Sequence, residues 1–246
     1  TLGIVTSVSI RLFPAPEGEV TLLCGADRAE DLVPAARAIT TSSLSVAALE
    51  LVEDSGLGEA FGGDGALLVI RLLASRVAVA EMEGRVAEML PAFSLRRLES
   101  RESEEFHRAL AGREVAGSMV LRLALLPRRL DVLLERARAF LGTGETGTIG
   151  EVRMAAHVGA GILRLTFQEP TDGSAMLGVG TLAESLRGLR GFLEREGGTL
   201  TVSHGPPSLV REVGAWGDPG EVAHLHAGLK REFDPAGILA PGRFVG

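Results

Sequence analysis

At 246 residues, with 46% hydrophobic and 23% charged side chains, the chain has the composition of one large globular domain or two small ones sharing a sheet. That excludes a disordered polypeptide and a disulfide scaffold, and the single cysteine, Cys24, has no intrachain partner. Thirty-two acids against 25 bases give a formal charge of −7, which argues against broad binding of nucleic acid or anionic lipid but leaves room for a local basic patch.

In chain order, Ile4, Val5, Val8, Ile10 and Leu12 alternate like an opening strand that ends at Pro14 and Pro16. A strand follows at about 18–25, where Cys24 among Val20, Leu22 and Leu23 reads as a small buried hydrophobe rather than a redox group. Asp27 and Glu30 have capping-box spacing before a helix at about 28–40, with Pro34 a later start or kink, and a strand is expected at about 45–52. Gly62, Gly63 and Gly65 punctuate the chain before an apolar strand at about 66–73. Val79, Met82, Val86 and Met89 then form a helical stripe, and a strand is expected at about 93–98.

An acidic connector (Glu102, Glu104, Glu105, Phe106) is expected to be helical, after which the pattern repeats. It gives a strand at about 117–125, a helical stripe at Leu130, Leu133, Leu134, Ala137, Phe140 and Leu141, and strands at about 149–157 and 161–168 around Gly159-Ala160-Gly161. A helix marked by Leu182, Leu186, Leu189 and Leu193 and the strand Thr199–Ser203 complete it. Two β-α-β-β-α-β units offset by about 100 residues imply an α+β fold: duplicated ferredoxin-like units sharing an antiparallel sheet with the helices on one face. Pro206, Pro207, Gly214, Gly217, Pro219 and Gly220 break up a short helical stretch. Val222, Leu225, Leu229 and Phe233 mark a final amphipathic helix.

The side-chain inventory narrows the chemistry. There is no tyrosine, Lys230 is the only lysine, and the histidines are His107, His157, His204, His224 and His226. Gly142-Thr143-Gly144-Glu145-Thr146-Gly147 spells a dinucleotide fingerprint, but it follows a helix and precedes a strand, the reverse of what phosphate binding requires, so it reads as a helix stop and loop. His224 and His226, two apart on a helix, cannot share a face, and no metal site is expected. His157 ends a strand at a turn of small residues where a flat ligand can approach the backbone; the plain alternative is a half-buried sheet histidine. His204 also ends a strand, and convergence of the two on one pocket is a hypothesis. Arg153 and Arg164 flank the His157 turn, where a guanidinium would clamp a carboxylate, or they are ordinary surface arginines. No stretch approaches the ~20 apolar residues of a membrane-spanning helix, and no signal peptide is evident, so a cytoplasmic protein is expected.

The two ends carry a family resemblance. Thr1-Leu2-Gly3-Ile4-Val5-Thr6-Ser7-Val8 resembles the last strand of the FAD-binding domain in vanillyl-alcohol-oxidase-type flavoenzymes. Phe233-Asp234-Pro235 through Gly237-Ile238-Leu239 to Pro241-Gly242-Arg243-Phe244 resembles their closing "FDPxGILNPGRF" motif. Val213 to Gly220 with the last helix is similar to the FAD-binding subunit of bacterial glycolate oxidase. The resemblance implies a domain layout of three parts: residues 1–16 as the last strand and linker of a preceding FAD domain, residues 17–204 as a cap domain of two repeats (about 17–98 and 117–204), and 205–246 as a tail closing toward the flavin.

It also implies FAD, held mainly by the preceding domain with Gly3, Ile4, Thr6, Pro241 and Gly242 beside it, and oxidation of a 2-hydroxy acid such as glycolate. His157 or His204 would be the base, and Arg153 or Arg164 the carboxylate clamp. Implied partners are the flavoprotein and iron–sulfur subunits of a glycolate oxidase complex, through which any membrane association would come; nucleic acid is not among them. Relatives that act on D-lactate or D-2-hydroxyglutarate carry "HxGDGNxH" where this chain has His157-Val158-Gly159-Ala160-Gly161-Ile162-Leu163-Arg164, and "EHG" where it has Ser203-His204-Gly205. The tail asparagine is Ala240. These losses remove the relatives' metal site and leave three further readings: a non-catalytic structural subunit, a D-lactate dehydrogenase-like flavoenzyme, and a stand-alone module binding a small metabolite.

Overall fold

Eight alternating segments pair into one antiparallel sheet in the computed structural model, which describes residues 2–12, 14–61, 65–115, 119–142, 151–168 and 179–241. The first repeat is β1 (Gly18–Ala26), α1 (Val33–Thr41), β2 (Ala48–Glu53), a short α2 (Ser55–Phe61), β3 (Ala66–Ala74), α3 (Arg76–Met89) and β4 (Leu95–Glu99). The connector α4 (Ser100–Val115) leads to β5 (Met119–Ala124), α5 (Leu130–Gly142), β6 (Val152–His157), β7 (Ile162–Phe167), α6 (Val179–Arg195) and β8 (Thr199–His204). The tail adds α7 (Pro207–Val213) and α8 (Ala223–Phe233).

The strand order is β4-β1-β3-β2-β6-β7-β5-β8, with every adjacent pair antiparallel. Each half is a ferredoxin-like four-strand order, so the duplicated α+β expectation is met. The two units join edge to edge through β2 and β6, which removes one exposed edge from each.

Alternation sends one set of side chains to each face of the sheet. Leu22, Leu68, Leu121 and Leu165 meet Ile39 of α1, Val86 of α3, Leu133 of α5 and Leu186 of α6 in one continuous core. Cys24 lies in it, and burial pushes its thiol up to about 11, as expected of a structural cysteine. The opposite face of the first repeat is covered as well. Phe106 and Leu110 of α4 and Leu57 of α2 pack on Leu23, Val52, Val69 and Leu98, and Phe61 meets Phe106 edge to face at 4.9 Å. A fully buried phenylalanine such as Phe106 contributes about 1.5–3 kcal/mol, enough to seat the otherwise charged α4. Helices α1, α3, α5 and α6 therefore share one face, and the connector α4 with the short α2 takes the other.

Three local expectations give way. The opening strand over residues 4–12 does not form: these residues have no ladder partner, and Ile4, Val5, Val8, Ile10 and Leu12 are 69–84% exposed. A strand's backbone groups need a neighbouring strand, and none of the eight is adjacent. The Asp27/Glu30 capping box is also not made. A 3-10 turn (Ala29–Leu32) precedes α1, its N-cap is Arg28 without a side-chain cap, and Pro34 sits in the first turn of α1, as the later-start alternative supposed. Glu30 turns instead to Arg138 of α5, whose guanidinium also takes Glu53 of β2 in a bidentate grip at 2.7 and 2.8 Å. Burial raises the Glu30 carboxyl, but the hydrogen bond and charge of Arg138 outweigh it and hold the group below its ordinary value. This trio ties the second repeat to the first. Finally, α8 forms where the stripe predicted it, but Leu225, Leu229 and Phe233 are 48–60% exposed and the helix buries no residue. No helix among the described residues is long and apolar enough to cross a membrane. The glycine-rich motif lies outside the described residues except for Gly142, which ends α5.

Candidate functional site

With Met154, Ala156, Leu163, Leu165, Leu121, Leu123, Leu200 and Val202 turned into the helix-covered core, the alternate residues of the second repeat lie on the other face. Register groups them in three rows running from β6 through β7 and β5 to β8. The rows are His157, Ile162, Ala124 and Thr199; then Ala155, Arg164, Arg122 and Thr201; then Arg153, Thr166, Val120 and, past a bulge, His204.

His157 is the best-placed titratable group. It stands opposite Glu50 across the β2–β6 junction, with Nδ1 3.3 Å from Glu50 Oε1. Glu50 is only 13% exposed, and its Oε2 has no hydrogen-bond partner, while His157 is 34% exposed. A nearly buried carboxylate on Nδ1 fixes the ring's orientation. The turn after His157 is a 3-10 turn (Val158–Ala160) closed by Gly161 at φ +64°, where a Cβ would lie 2.0 Å from the Leu125 carbonyl oxygen. Only glycine lets the hairpin sit this close to the β5–α5 connection.

Arg164 is the diagonal neighbour of His157 on β7, a spacing of about 7–8 Å between backbones that long side chains bridge easily. His204 is elsewhere. Both histidines end strands, but β6 and β8 run in opposite directions, so His204 falls in the far row, three strands across and four residues along. At ~4.8 Å per strand and ~3.3 Å per residue that is roughly 20 Å, and the hypothesis of convergence on one pocket fails. Arg153 is in ion-pair contact with the nearly buried Asp54 at 3.4 Å and with Glu151 at 3.5 Å, which commits its guanidinium to holding β6 against the end of β2. Of the four residues that the sequence offers as base and clamp, the geometry therefore brings together His157 and Arg164.

One participant was not picked out from sequence: Glu50, the partner of His157. Under α4, on the same face of the first repeat, Thr21 Oγ1 meets Ser103 Oγ at 2.8 Å and His107 Nε2 at 2.9 Å. Ser103 donates to Glu19, which also takes Arg71 at 2.7 Å. Burial, then the charge of Arg71, lowers the His107 pKa, so this network clamps α4 with a neutral imidazole.

The residues proposed near FAD do not form a cradle by themselves. Gly3 has nothing within 4 Å of where a Cβ would be, Ile4 is 78% exposed, Thr6 and Pro241 are exposed, and Gly242 lies outside the described residues. The tail turn nevertheless has a built shape. Asp234 accepts from the Ile238 and Leu239 N–H groups at 3.1 and 2.9 Å and pairs with Lys230, which also donates to the Leu239 carbonyl. The hydrogen bond from Lys230, with those two N–H groups, holds the Asp234 carboxyl below its ordinary value. Ala240 follows at φ +46°, a left-handed conformation that asparagine tolerates better than alanine.

The family model described as "FAD linked oxidases, C-terminal domain" matches residues 15–244. Similar folds are found in a xylooligosaccharide oxidase from Myceliophthora thermophila C1 in complex with xylobiose (TM-score 0.53, 13% identity), in a chitooligosaccharide oxidase (0.50, 11%) and in a structure titled FgChi7B (0.53, 9%). Each alignment covers 95% of this chain but 56% of the other, so the chain spans little more than half the length of these structures.

Proposed function

Because the chain belongs to the FAD linked oxidase C-terminal domain family, we propose that it is the substrate-covering domain of a flavin-dependent oxidoreductase acting on a 2-hydroxy acid, of the kind found in the FAD-binding subunit of glycolate oxidase. The observation that carries this reading is the pairing, on one sheet face, of a carboxylate-oriented histidine with a diagonal arginine: His157 on Glu50, beside Arg164. A hydroxy acid needs a base for its hydroxyl proton and a cation for its carboxylate. His157 Nε2 takes the proton, Glu50 holds the ring and stabilises the imidazolium that results, and the Arg164 fork binds the carboxylate. The flavin, held mainly by the FAD-binding domain, supplies the hydride acceptor.

Two of these neighbours are oligosaccharide oxidases by name, but at 11–13% identity they speak for the fold alone. A sugar site also favours aromatic platforms, and the twelve face residues of β6, β7, β5 and β8 include no Phe or Trp. In the natural gene product, His157→Ala should reduce turnover with glycolate or D-lactate by about 10²–10⁴-fold, while His204→Ala stays within a few-fold of wild type. Equal effects of the two substitutions would reject the assignment.

A further inference from the structure

Strand β2 runs out through two consecutive acids, Glu53 and Asp54, which the second repeat grips from opposite sides of the sheet. Alternation turns Glu53, like Leu49 and Leu51, toward the helices, and Asp54, like Glu50 and Val52, toward the other face. On the helix side, Arg138 of α5 donates to Glu53 Oε1 at 2.8 Å and to Oε2 at 2.7 Å, and Oε2 also accepts from the Ala29 N–H at 3.3 Å. On the other side, Arg153 of β6 meets Asp54 Oδ2 at 3.4 Å, while Asp54 Oδ1 accepts from the Leu57 N–H at 3.1 Å and so starts α2. Every oxygen of these two carboxylates is engaged. Glu50, three residues before Glu53, uses only Oε1, on His157; its buried Oε2 has no hydrogen-bond partner.

Register connects the gripped acids to the site. Only four residue pairs join β2 to β6, from Glu50 opposite His157 to Glu53 opposite Met154. A one-residue slip is forbidden because it would turn Leu49 and Leu51 out of the core, but a two-residue slip keeps every side chain on its own face. That slip would set Glu50 opposite Ala155 and Ala48 opposite His157, a displacement of about 7 Å at ~3.3 Å per residue. Backbone pairing is blind to it, whereas a side-chain grip at a fixed place is not. We propose that Arg138 is a positioning residue of the candidate site: its grip on Glu53, matched across the sheet by Arg153 on Asp54, sets the register of β2 on β6 and thereby keeps the Glu50 carboxylate on His157. An ionised carboxylate only accepts hydrogen bonds, so the neutral His157 ring then carries its proton on Nδ1. The consequence for turnover rests on the hydroxy-acid reading, in which His157 is the base.

The test is the ring-nitrogen NMR spectrum of the natural gene product labelled with ¹⁵N-histidine, at mildly alkaline pH where the rings are neutral, with His157→Gln identifying the signal and thermal melts of each variant alongside. Wild type should carry the His157 proton on Nδ1. Arg138→Gln and Glu53→Gln break the grip from its two ends, and with these side chains 26–29% exposed, water takes the vacated positions and the fold is kept. Both should move His157 toward the Nε2–H form that an unheld imidazole prefers, with Arg138→Lys between them and wild type. Glu30→Gln, which leaves the two bonds to Glu53 in place, should not move it. With glycolate or D-lactate, Arg138→Gln should lose about 10- to 100-fold in kcat with little change in KM. A proton that stays on Nδ1 in both Arg138→Gln and Glu53→Gln while the melting points fall would overturn the proposal and leave Arg138 a structural tie. An Nε2–H ring in wild type would overturn it too, together with the pairing of His157 and Glu50. A ring that shifts in the variants of a protein that oxidises neither acid supports the positioning role and rejects the hydroxy-acid reading.

Discussion

Replacing Gly161 with alanine tests whether the His157 hairpin is seated as described. Gly161 has φ +64° and ψ +34°, and a left-handed alanine costs about 1–2 kcal/mol before any contact is counted. Its Cβ would also sit 2.0 Å from the Leu125 carbonyl oxygen and 2.9 Å from the Pro127 nitrogen. Both are backbone atoms, so no rotamer change relieves the clash. The hairpin must withdraw and forfeit the bond from the Leu125 N–H to the Gly161 carbonyl, now 2.9 Å, and leaving that amide unpaired adds about 1–3 kcal/mol. The sum is about 2–5 kcal/mol, which for a domain of this size lowers the melting temperature by roughly 5–15 °C. Gly159→Ala is the matched control: its Cβ meets nothing within 4 Å, and it should change stability by less than about 0.5 kcal/mol. Far-UV circular dichroism melts are the suitable assay, because the only tryptophan, Trp216, is 51% exposed in the tail and reports poorly on the sheet. Equal melting of the two variants would refute the close approach of the hairpin to the β5–α5 connection.

Two further expectations concern stability. Arg138→Ala strands Glu30 and Glu53 on the helix-covered side of the sheet; with all three side chains 26–29% exposed, solvent softens the loss to about 1–3 kcal/mol, readable as a lower urea midpoint that Arg138→Lys recovers only in part. Ala240→Asn should stabilise the tail turn by up to about 1 kcal/mol, because asparagine accepts the left-handed φ of +46° more readily, and Ala240→Val should do the opposite; slower proteolysis of the tail in the first and faster in the second is the check.

Much of the fold was legible because its signals are local. Apolar patterning found the eight strands, and apolar stripes at three- and four-residue spacing found α3, α5 and α6, since both periods express which side faces the core. The alternation of Ile4 to Leu12 is equally clean, yet no strand forms there, because pairing depends on a neighbour that the residues themselves do not supply. The candidate site was legible in part. His157 and Arg164 stood out as polar groups flanking a glycine turn, but the partner of His157 comes from another repeat. Glu50, between Leu49 and Leu51, looks like any outward-facing strand glutamate until β2 and β6 are seen side by side. Arg138 was hidden for the same reason: its significance is its grip on Glu53, 85 residues away in the chain and in the other repeat. His204 misled because "end of a strand" names opposite ends of a sheet when strands run antiparallel.

The central claim is most directly tested by the visible absorption spectrum of the natural gene product, recorded anaerobically before and after glycolate, D-lactate or xylobiose. The account predicts flavin bands that bleach with a hydroxy acid and not with the sugar, and that bleach far more slowly in His157→Ala. A colourless protein, or a flavin reduced by xylobiose alone, would contradict it.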